Sequence, residues 1–362
     1  MQTLQTLKFV KKELPPFALG TISTPAGAVY KISSDWSRAD FWGMVKSRSG
    51  AFRMNYTVAP GLYAVGDPIA ASDVFVTANY KLSFDILRRE LKGMNAWVLV
   101  LDTKSINVWC AAGKGTFGTE EVIKRVSATG LDKVVSHRRL ILPQLGAVGV
   151  SASAVQKATG FRVSFGPVQA RDIPAYVAGG YKKTIEMATI KFPIMDRMIL
   201  TPMEINPAMK KFPWFVGAVL IIFGLQPQGL LFKDAFYGGL PFLLLGLLTV
   251  FSGAFLTPVL LPFVPFRSFA LKGLLMGILA MLSAMPLLGP VMRTEYLLVA
   301  AAWLFFPAMT SYVALQFTGS TTFTGMTGVK KELKIGLPLY IIAAVLSLVL
   351  LAVHKVREWG LV

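Results

Sequence analysis

The chain has 362 residues, of which 54% are hydrophobic and only 15% charged, against roughly 25% charged in an ordinary soluble domain. Mean hydropathy is +0.57 and the formal net charge is +18. These values exclude a wholly soluble chain, a disordered chain and a small disulfide-stapled one. The charge is unevenly spread: residues 1–211 carry 28 Lys/Arg and 15 Asp/Glu, whereas residues 212–362 carry 9 and 4. The first part reads as a basic water-facing domain and the second as a bundle of membrane spans.

A single cysteine excludes an internal disulfide, a Cys-rich zinc site and a self-contained iron–sulfur cluster, which needs about four thiolates. The two histidines, His137 and His354, are far apart in the chain and argue against a His-based metal centre. The basic charge suits nucleic acid or anionic lipid. Spans favour lipid, and no basic-aromatic motif points to nucleic acid, so no nucleic-acid partner is expected.

In chain order, the first residues lack the apolar core of a signal peptide, so the first domain is expected to stay in the cytoplasm. Residues 20–34 read as a hairpin around Pro25-Ala26-Gly27, and residues 51–66 as extended and turn-rich. Strand–helix alternation follows. Val74–Thr77 is a short strand, and Leu82–Leu91 a helix with a loose apolar stripe. Trp97–Leu101 is a continuous apolar run, as in a strand buried on both faces of a parallel sheet. Thr119–Ala128 is a helix ended by Gly130, Leu140–Leu142 a strand stopped by Pro143, and Ser151–Thr159 a helix. Phe161–Phe165 alternates as a strand and Asp172–Ala178 is helical. This alternation predicts an α/β open sheet, whose ligands sit beyond the carboxyl ends of the strands.

Residues 191–211 are expected to be a linker. Five apolar segments follow, at roughly 213–232, 239–264, 269–289, 296–317 and 336–354, the first interrupted by Gln226-Pro227-Gln228-Gly229. Each reaches the ~20 residues needed to cross a bilayer. With the N-terminus inside, the inner flanks hold Lys210, Lys211, Arg267, Lys272, Lys330, Lys331 and Lys334. The outer flanks hold Lys233, Arg293, Lys355 and Arg357, a modest positive-inside bias that puts the C-terminus outside. The middles of the spans carry few ionisable groups, so anchoring and assembly are expected rather than transport.

The informative segment is Asn107-Val108-Trp109-Cys110-Ala111-Ala112-Gly113-Lys114-Gly115-Thr116-Phe117-Gly118-Thr119. Residues 113–118 satisfy G-x-G-x-x-G, but a dinucleotide fingerprint needs its first glycine almost directly after the strand, and here about a dozen residues intervene. A phosphate-binding P-loop fails outright, lacking glycine at Val108 and a hydroxyl at Gly115. Cys110 reads either as a buried, inert small hydrophobe or as a ligand or nucleophile. For the second reading stand its place in the loop after a central strand, Lys114 four residues on, and the helix start near Thr119. The small Ala111, Ala112 and Gly113 leave room for a flat, bulky group at the backbone.

The octapeptide Asn107–Lys114 resembles the signature of the membrane corrinoid proteins that methylate mercury in anaerobic microbes. The resemblance extends to Val76-Thr77-Ala78-Asn79-Tyr80-Lys81, to Ile141-Leu142-Pro143-Gln144-Leu145-Gly146-Ala147, and to the order of a corrinoid domain before five spans. The first domain is also similar to that of the corrinoid iron–sulfur protein of the acetyl-CoA pathway. Val148 departs from the proline expected there by resemblance. The resemblance implies a corrinoid-dependent methyltransferase that moves a methyl group from Cys-ligated methylcobalamin to Hg(II), forming methylmercury. A corrinoid carrier of one-carbon metabolism with another acceptor is the alternative.

By the same resemblance, Asn107–Lys114 forms a short cap helix under the corrinoid, and Cys110 is the lower axial ligand of cobalt in a base-off cofactor. A thiolate is a soft, electron-rich donor suited to that place. Asn107, Val108, Trp109, Ala111, Ala112, Gly113 and Lys114 frame the cofactor, with Thr77, Asn79, Gln144, Gly146 and Ala147 as further contacts. His137 is expected to be structural. The implied partners are a ferredoxin-like [4Fe–4S] protein, as electron donor and carrier of Hg(II), and a methyl donor protein using methyltetrahydrofolate. The fold expected is a Rossmann-like α/β corrinoid-binding domain over 1–190, a linker over 191–211, and five transmembrane helices over 212–362. The expected place is the cytoplasmic membrane, with membrane lipid around the spans.

Overall fold

The computed structural model describes residues 14–289, 294–319 and 326–361. The leader reading of the first residues and the flank residue Arg293 lie outside the described residues. The chain divides into two compact units, residues 1–47 with 51–190, and residues 48–50 with 191–362.

The first unit is built on a seven-stranded mixed sheet. Its strands are β1 (Ala18–Thr24), β2 (Gly27–Ile32), β3 (Gly61–Val65), β4 (Val74–Ala78), β5 (Ala96–Leu101), β6 (Arg139–Leu142) and β7 (Arg162–Phe165). They lie in the order β1-β2-β3-β5-β4-β6-β7. From β5 outward to β7 every pairing is parallel, while β1/β2 and β3/β5 are antiparallel. The expected open sheet therefore occupies one half, and a hairpin plus β3 extend the other. β3 lay inside the stretch read as turn-rich, because Pro60-Gly61 masks a five-residue run that is buried from Leu62 onward.

Eight α-helices accompany this sheet among the described residues: α1 (Arg38–Ser47), α2 (Lys81–Glu90), α3 (Val108–Lys114), α4 (Thr119–Ala128), α5 (Leu131–Val134), α6 (Ala152–Thr159), α7 (Ile173–Ala178) and α8 (Ile185–Ala188). Successive strand residues point to opposite faces. Val76, Leu99 and Leu101 pack with Ala111, Phe117 and Val122 on one side, under α3, α4 and α6. Phe75, Val98 and Val100 pack with Phe84, Leu87 and Ile173 on the other, under α2 and α7. β5 is buried along all six residues. That explains its unbroken apolar sequence, although its neighbours are one parallel and one antiparallel strand.

α1 has little apolar patterning and no counterpart in the sequence reading. An ion network ties it to α2. Lys81 bonds Asp40 and Asp85, both at 2.7 Å, and Arg88 bonds the same two carboxylates, both at 2.8 Å. Arg88 is 1% exposed and also donates to the Ser33 and Asp35 carbonyls. Burial acts to raise the Asp40 pKa, but hydrogen bonds from Lys81 and Ser37 win and hold it well below the carboxylate range.

In the second unit, five helices are long and apolar enough to cross a membrane: Ile194–Gly224, Phe232–Val259, Phe269–Leu287, Tyr296–Gln316 and Gly328–Glu358. Residues 191–211, read in sequence as a linker, hold the helix Ile194–Leu200 and the start of Pro202–Gly224. The Gln226-Pro227-Gln228-Gly229 interruption forms a tight two-stranded turn, so the first span ends at Gly224 and the second starts at Phe232. Two buried hydroxyls join neighbouring helices. Ser347 Oγ donates to the Ala301 carbonyl at 2.8 Å, and Ser311 Oγ to that of Ala270 at 2.6 Å.

Removing one member of a buried ion network strands its partners. Arg88→Met should cost about 3–5 kcal/mol in the first unit, read as a lower urea midpoint by pulse proteolysis of the full chain. The pH dependence has a definite sign. The folded state binds the Asp40 proton more weakly than the unfolded chain. Its contribution is therefore complete above the ordinary value of 3.8 and is lost as pH falls below it. The urea midpoint of Asp40→Asn should fall less steeply than wild type between pH 5 and pH 3, both pH limits being about those set by that ordinary value.

Candidate functional site

The site begins where β5 ends. The loop from Asp102 to Ile106 turns out of the buried strand through two consecutive non-glycine residues of positive φ, Lys104 at 58° and Ser105 at 61°. Such backbone costs of order 1–3 kcal/mol per residue and persists only when its surroundings hold it. Asn79, just past the end of β4, does so. Its Oδ1 accepts from the Thr103 N–H at 3.0 Å and the Ser105 N–H at 3.1 Å. Thr103 Oγ1 in turn donates to the Ile106 carbonyl at 2.7 Å, and the Asp102 N–H donates to Glu121 on α4 at 2.9 Å.

α3 follows at once. Asn107 caps it, its Oδ1 accepting from the Cys110 N–H at 2.9 Å. The helix is two turns long and stops at Gly115, whose φ of 81° suits a residue without Cβ. The Ala111 carbonyl then receives the Thr116 and Phe117 N–H groups at 3.0 and 3.1 Å. Ala111 and Ala112 face the sheet and are buried, while Gly113, Lys114 and Gly115 form an exposed edge. A Cβ on Gly113 would meet no atom within 4 Å, so that edge is open.

Cys110 is a free, half-buried cysteine on this helix. Sequence reasoning expected Lys114 and a helix start to favour the thiolate. The balance runs the other way: burial pushes the thiol pKa up, against smaller lowering effects of Arg53, Lys114 and the Asn107 hydrogen bond. The resting side chain is a thiol, and a bound metal ion would have to displace its proton. Among the described residues no cluster of three or more His, Cys, Asp or Glu could hold a metal ion. A metal that carries its other ligands with it, as in a macrocycle, would need only the one sulfur. The soft sulfur, the open edge beside it and the absence of competing donors fit such a group.

A cavity of ≈ 250 Å³ lies at the carboxyl ends of β4, β6 and β7, lined among others by Thr77, Asn107, Val108, Trp109, Pro143 and Gly166. It thus joins Thr77 to the first turn of α3, at the edge where open α/β sheets bind ligands. Trp109 is half-buried and forms part of the wall. Asn79 is buried and its acceptor oxygen is occupied by the loop, so it positions α3 from behind. Gln144 accepts a hydrogen bond from Lys183. Gly146 lies under Phe117, where a Cβ would come within 2.6 Å of the ring, and the neighbouring Ala147 is half-buried on the same turn. Val148, where the resemblance led to proline, is 78% exposed.

The G-x-G-x-x-G stretch joins α3 to α4 instead of a strand to a helix, which removes the geometry of a dinucleotide fingerprint. His137 is structural. Its Nδ1 accepts from the Arg139 N–H at 3.2 Å, which leaves Nε2 as donor to the Ser72 carbonyl at 2.9 Å. Sequence reasoning missed the far wall of the cavity, Pro167 to Ala170 with Ile173, and the charge of Arg53 near the thiol. Gly166-Pro167 directly after a strand was the available signal for the wall. Arg53 had none, lying 57 positions before Cys110 in sequence.

Residues 52–177, which include all of these groups except Lys183, match the family model described as CO dehydrogenase/acetyl-CoA synthase delta subunit. The chain is 32% identical over 122 residues to the acetyl-CoA decarbonylase/synthase complex subunit gamma of Methanopyrus kandleri, covering 33% of this chain and 26% of that protein. The subunit gamma of Archaeoglobus fulgidus is 31% identical over 122 residues, with the same coverage of 33% and 26%. The corrinoid/iron-sulfur protein large subunit of Moorella thermoacetica is 31% identical over 107 residues, covering 29% of this chain and 24% of that protein. The chain spans about a quarter of the length of the curated relatives it matches. Its first unit accordingly contains a domain similar to the corrinoid proteins of the acetyl-CoA pathway.

Proposed function

We propose that the chain is a membrane-anchored corrinoid protein that passes a methyl group to Hg(II), and that the Cys110 sulfur would hold the corrinoid cobalt. The observation that carries this reading is the lone thiol on a short, capped, open-edged helix at the carboxyl ends of the strands, inside the stretch that matches corrinoid-pathway proteins. The resemblance of Asn107–Lys114 to mercury-methylating proteins supports Hg(II) as acceptor. A bound corrinoid supplies the methyl-carrying cobalt.

The chain's own residues do the rest. Asn107 holds the Cys110 backbone and so fixes where the sulfur stands. Arg53 and Lys114 favour the sulfur's anionic form once its proton has left. The Cys110 sulfur would hold the cofactor metal as a soft, strong donor, and a group so loaded would supply a methyl suited to an electrophilic acceptor such as Hg(II). Asn79 and Thr103 hold the loop that aims α3. The Thr77–Trp109 cavity receives a peripheral part of the macrocycle, being too small for the whole.

Reloading the cofactor after each transfer would need two electrons; one cysteine cannot hold a cluster, so these would come from a partner, a ferredoxin-like [4Fe–4S] protein that would also deliver Hg(II). A methyltetrahydrofolate-dependent protein supplies the methyl group. The five apolar helices support a membrane anchor; on this reading the membrane is the cytoplasmic one, with the first unit inside and the C-terminus outside. A second reading, a methyl carrier of one-carbon metabolism with another acceptor, is favoured by the names of the relatives. Methyl transfer from the loaded full chain to Hg(II) and to candidate thiol and carbon acceptors separates the two. Equal vigour toward a metabolic acceptor would remove mercury as the main task.

The ligand assignment is tested by the visible absorption spectrum of the full chain loaded with cobalamin. Cys110→Ala should keep the fold, shift the cobalt band and abolish methyl transfer. Cys110→His should keep the corrinoid but transfer poorly, imidazole being the weaker donor. An unchanged spectrum in Cys110→Ala would refute thiolate ligation. Asn79→Ala should leave Cys110 in place but free the loop, costing about 1–3 kcal/mol locally. Faster amide exchange over residues 102–114 and weaker corrinoid retention are the expected readouts.

A further inference from the structure

The second unit contains a groove that the methyl-transfer reading does not use. It has a volume of ≈ 660 Å³ and lies between the helices Phe269–Ala284 and Met326–Glu358, with Ala308 and Ser311 of a third helix at its floor. Its walls are apolar and outward-facing: Leu271 is 46% exposed, and Ile335 and Leu339 are each 59% exposed. From Lys331 to Ala343 it follows about 18 Å of helix, enough for most of an acyl chain.

The polar groups along it fall into two sets. Those in the floor are matched internally. Tyr340 OH and Ser311 Oγ share a hydrogen bond at 2.8 Å, and Ser311 Oγ donates to the Ala270 carbonyl. Glu332 caps the neighbouring helix, accepting from Ser268 Oγ and the Ala270 N–H, both at 2.9 Å. The one carboxylate at the mouth is thereby turned onto backbone and hydroxyl donors. Arg267 and Lys331 stand at the same mouth, exposed and without an ion-pair partner among the described residues. Lys330 and Lys334 are exposed beside them.

An apolar trough that ends in two unmatched cations has the chemistry of one kind of occupant. We infer that the groove binds an anionic phospholipid, its phosphate between Arg267 and Lys331 and one acyl chain along Leu271, Ile335 and Leu339. A zwitterionic lipid lacks the net charge that the mouth complements, and free phosphate lacks the tail that the walls would cover. Basic pockets between spans bind lipid headgroups for this reason.

The test uses the full chain purified in a neutral detergent. Retained lipid is read by native mass spectrometry, and thermal stability is measured with phosphatidylglycerol, phosphatidylcholine or inorganic phosphate added. Phosphatidylglycerol should be retained and should raise the unfolding midpoint, with phosphatidylcholine and inorganic phosphate giving little. Arg267→Gln with Lys331→Gln, both at exposed positions, should weaken phosphatidylglycerol binding about thirtyfold. Ala343→Phe, which fills the tail end of the groove, should weaken it with the charges intact. Equal binding of both lipids, or wild-type affinity in the double variant, would overturn the inference. Stabilisation by phosphate alone would make the mouth a simple anion site and overturn the lipid. A change in oligomeric state of the Ala343→Phe variant with lipid binding intact would assign the groove to a second copy of the chain.

Discussion

A strand buried along its whole length must hand the chain to a short, partly exposed helix within six residues, and the site depends on how that turn is held. Lys104 and Ser105 take left-handed backbone without being glycine, a local cost of a few kcal/mol. The Asn79 carboxamide meets that cost with two backbone hydrogen bonds from one oxygen, and Thr103 closes the loop onto Ile106. Because Asn79 lies just past the end of β4 and the loop leaves β5, two adjacent parallel strands fix the start of α3 between them. The helix needs no length of its own to be stable. Its cap, its two buried alanines and the Phe117 ring behind it supply what a seven-residue helix lacks.

The thiol's environment follows from the same construction. α3 lies partly in the surface of the unit, so Cys110 is half-buried and its proton is held more tightly than in water. A nucleophilic cysteine needs the opposite, a depressed pKa at rest. A metal ligand does not, because the metal itself displaces the proton. A raised pKa counts against Cys110 as a resting nucleophile and is compatible with the proposed ligand role. Arg53 and Lys114 work against that rise, and would favour the anionic form of a ligated sulfur.

What could be read from residues alone was what local pattern encodes. The buried run Trp97–Leu101, the helix Thr119–Ala128 and the Pro25-Ala26 hairpin turn are all where their periodicity and turn residues put them. All five apolar helices are present as well, with boundaries moved at the Gln226-Pro227 interruption. α1 escaped because its reason for existing is not apolar. A buried carboxylate, Asp40, ties it to Lys81 and Arg88 about forty positions away. β3 escaped because its proline and glycine precede a run too short to outweigh them. Asn79 was read as a ligand contact because its place after a strand is visible in sequence. That its oxygen is filled by loop amides is visible only in three dimensions.

The two units solve the problem of buried polarity in opposite ways. In the first, full charges are taken inside and made to satisfy one another: two carboxylates, an ammonium and a guanidinium within hydrogen-bond distance. In the second, the polar groups taken inside are mostly hydroxyls, bonded to a carbonyl of their own helix, as at Thr310, or of a neighbour, as at Ser311 and Ser347, and the buried Lys272 donates to two carbonyls. The Glu332 carboxylate is bound to the N-terminus of the neighbouring helix, which leaves the nearby cations with a net field. A uniform apolar surface would be indifferent to which lipid surrounds it. Unmatched cations at the end of an apolar groove are not, and that asymmetry makes the second unit a selective surface as well as an anchor.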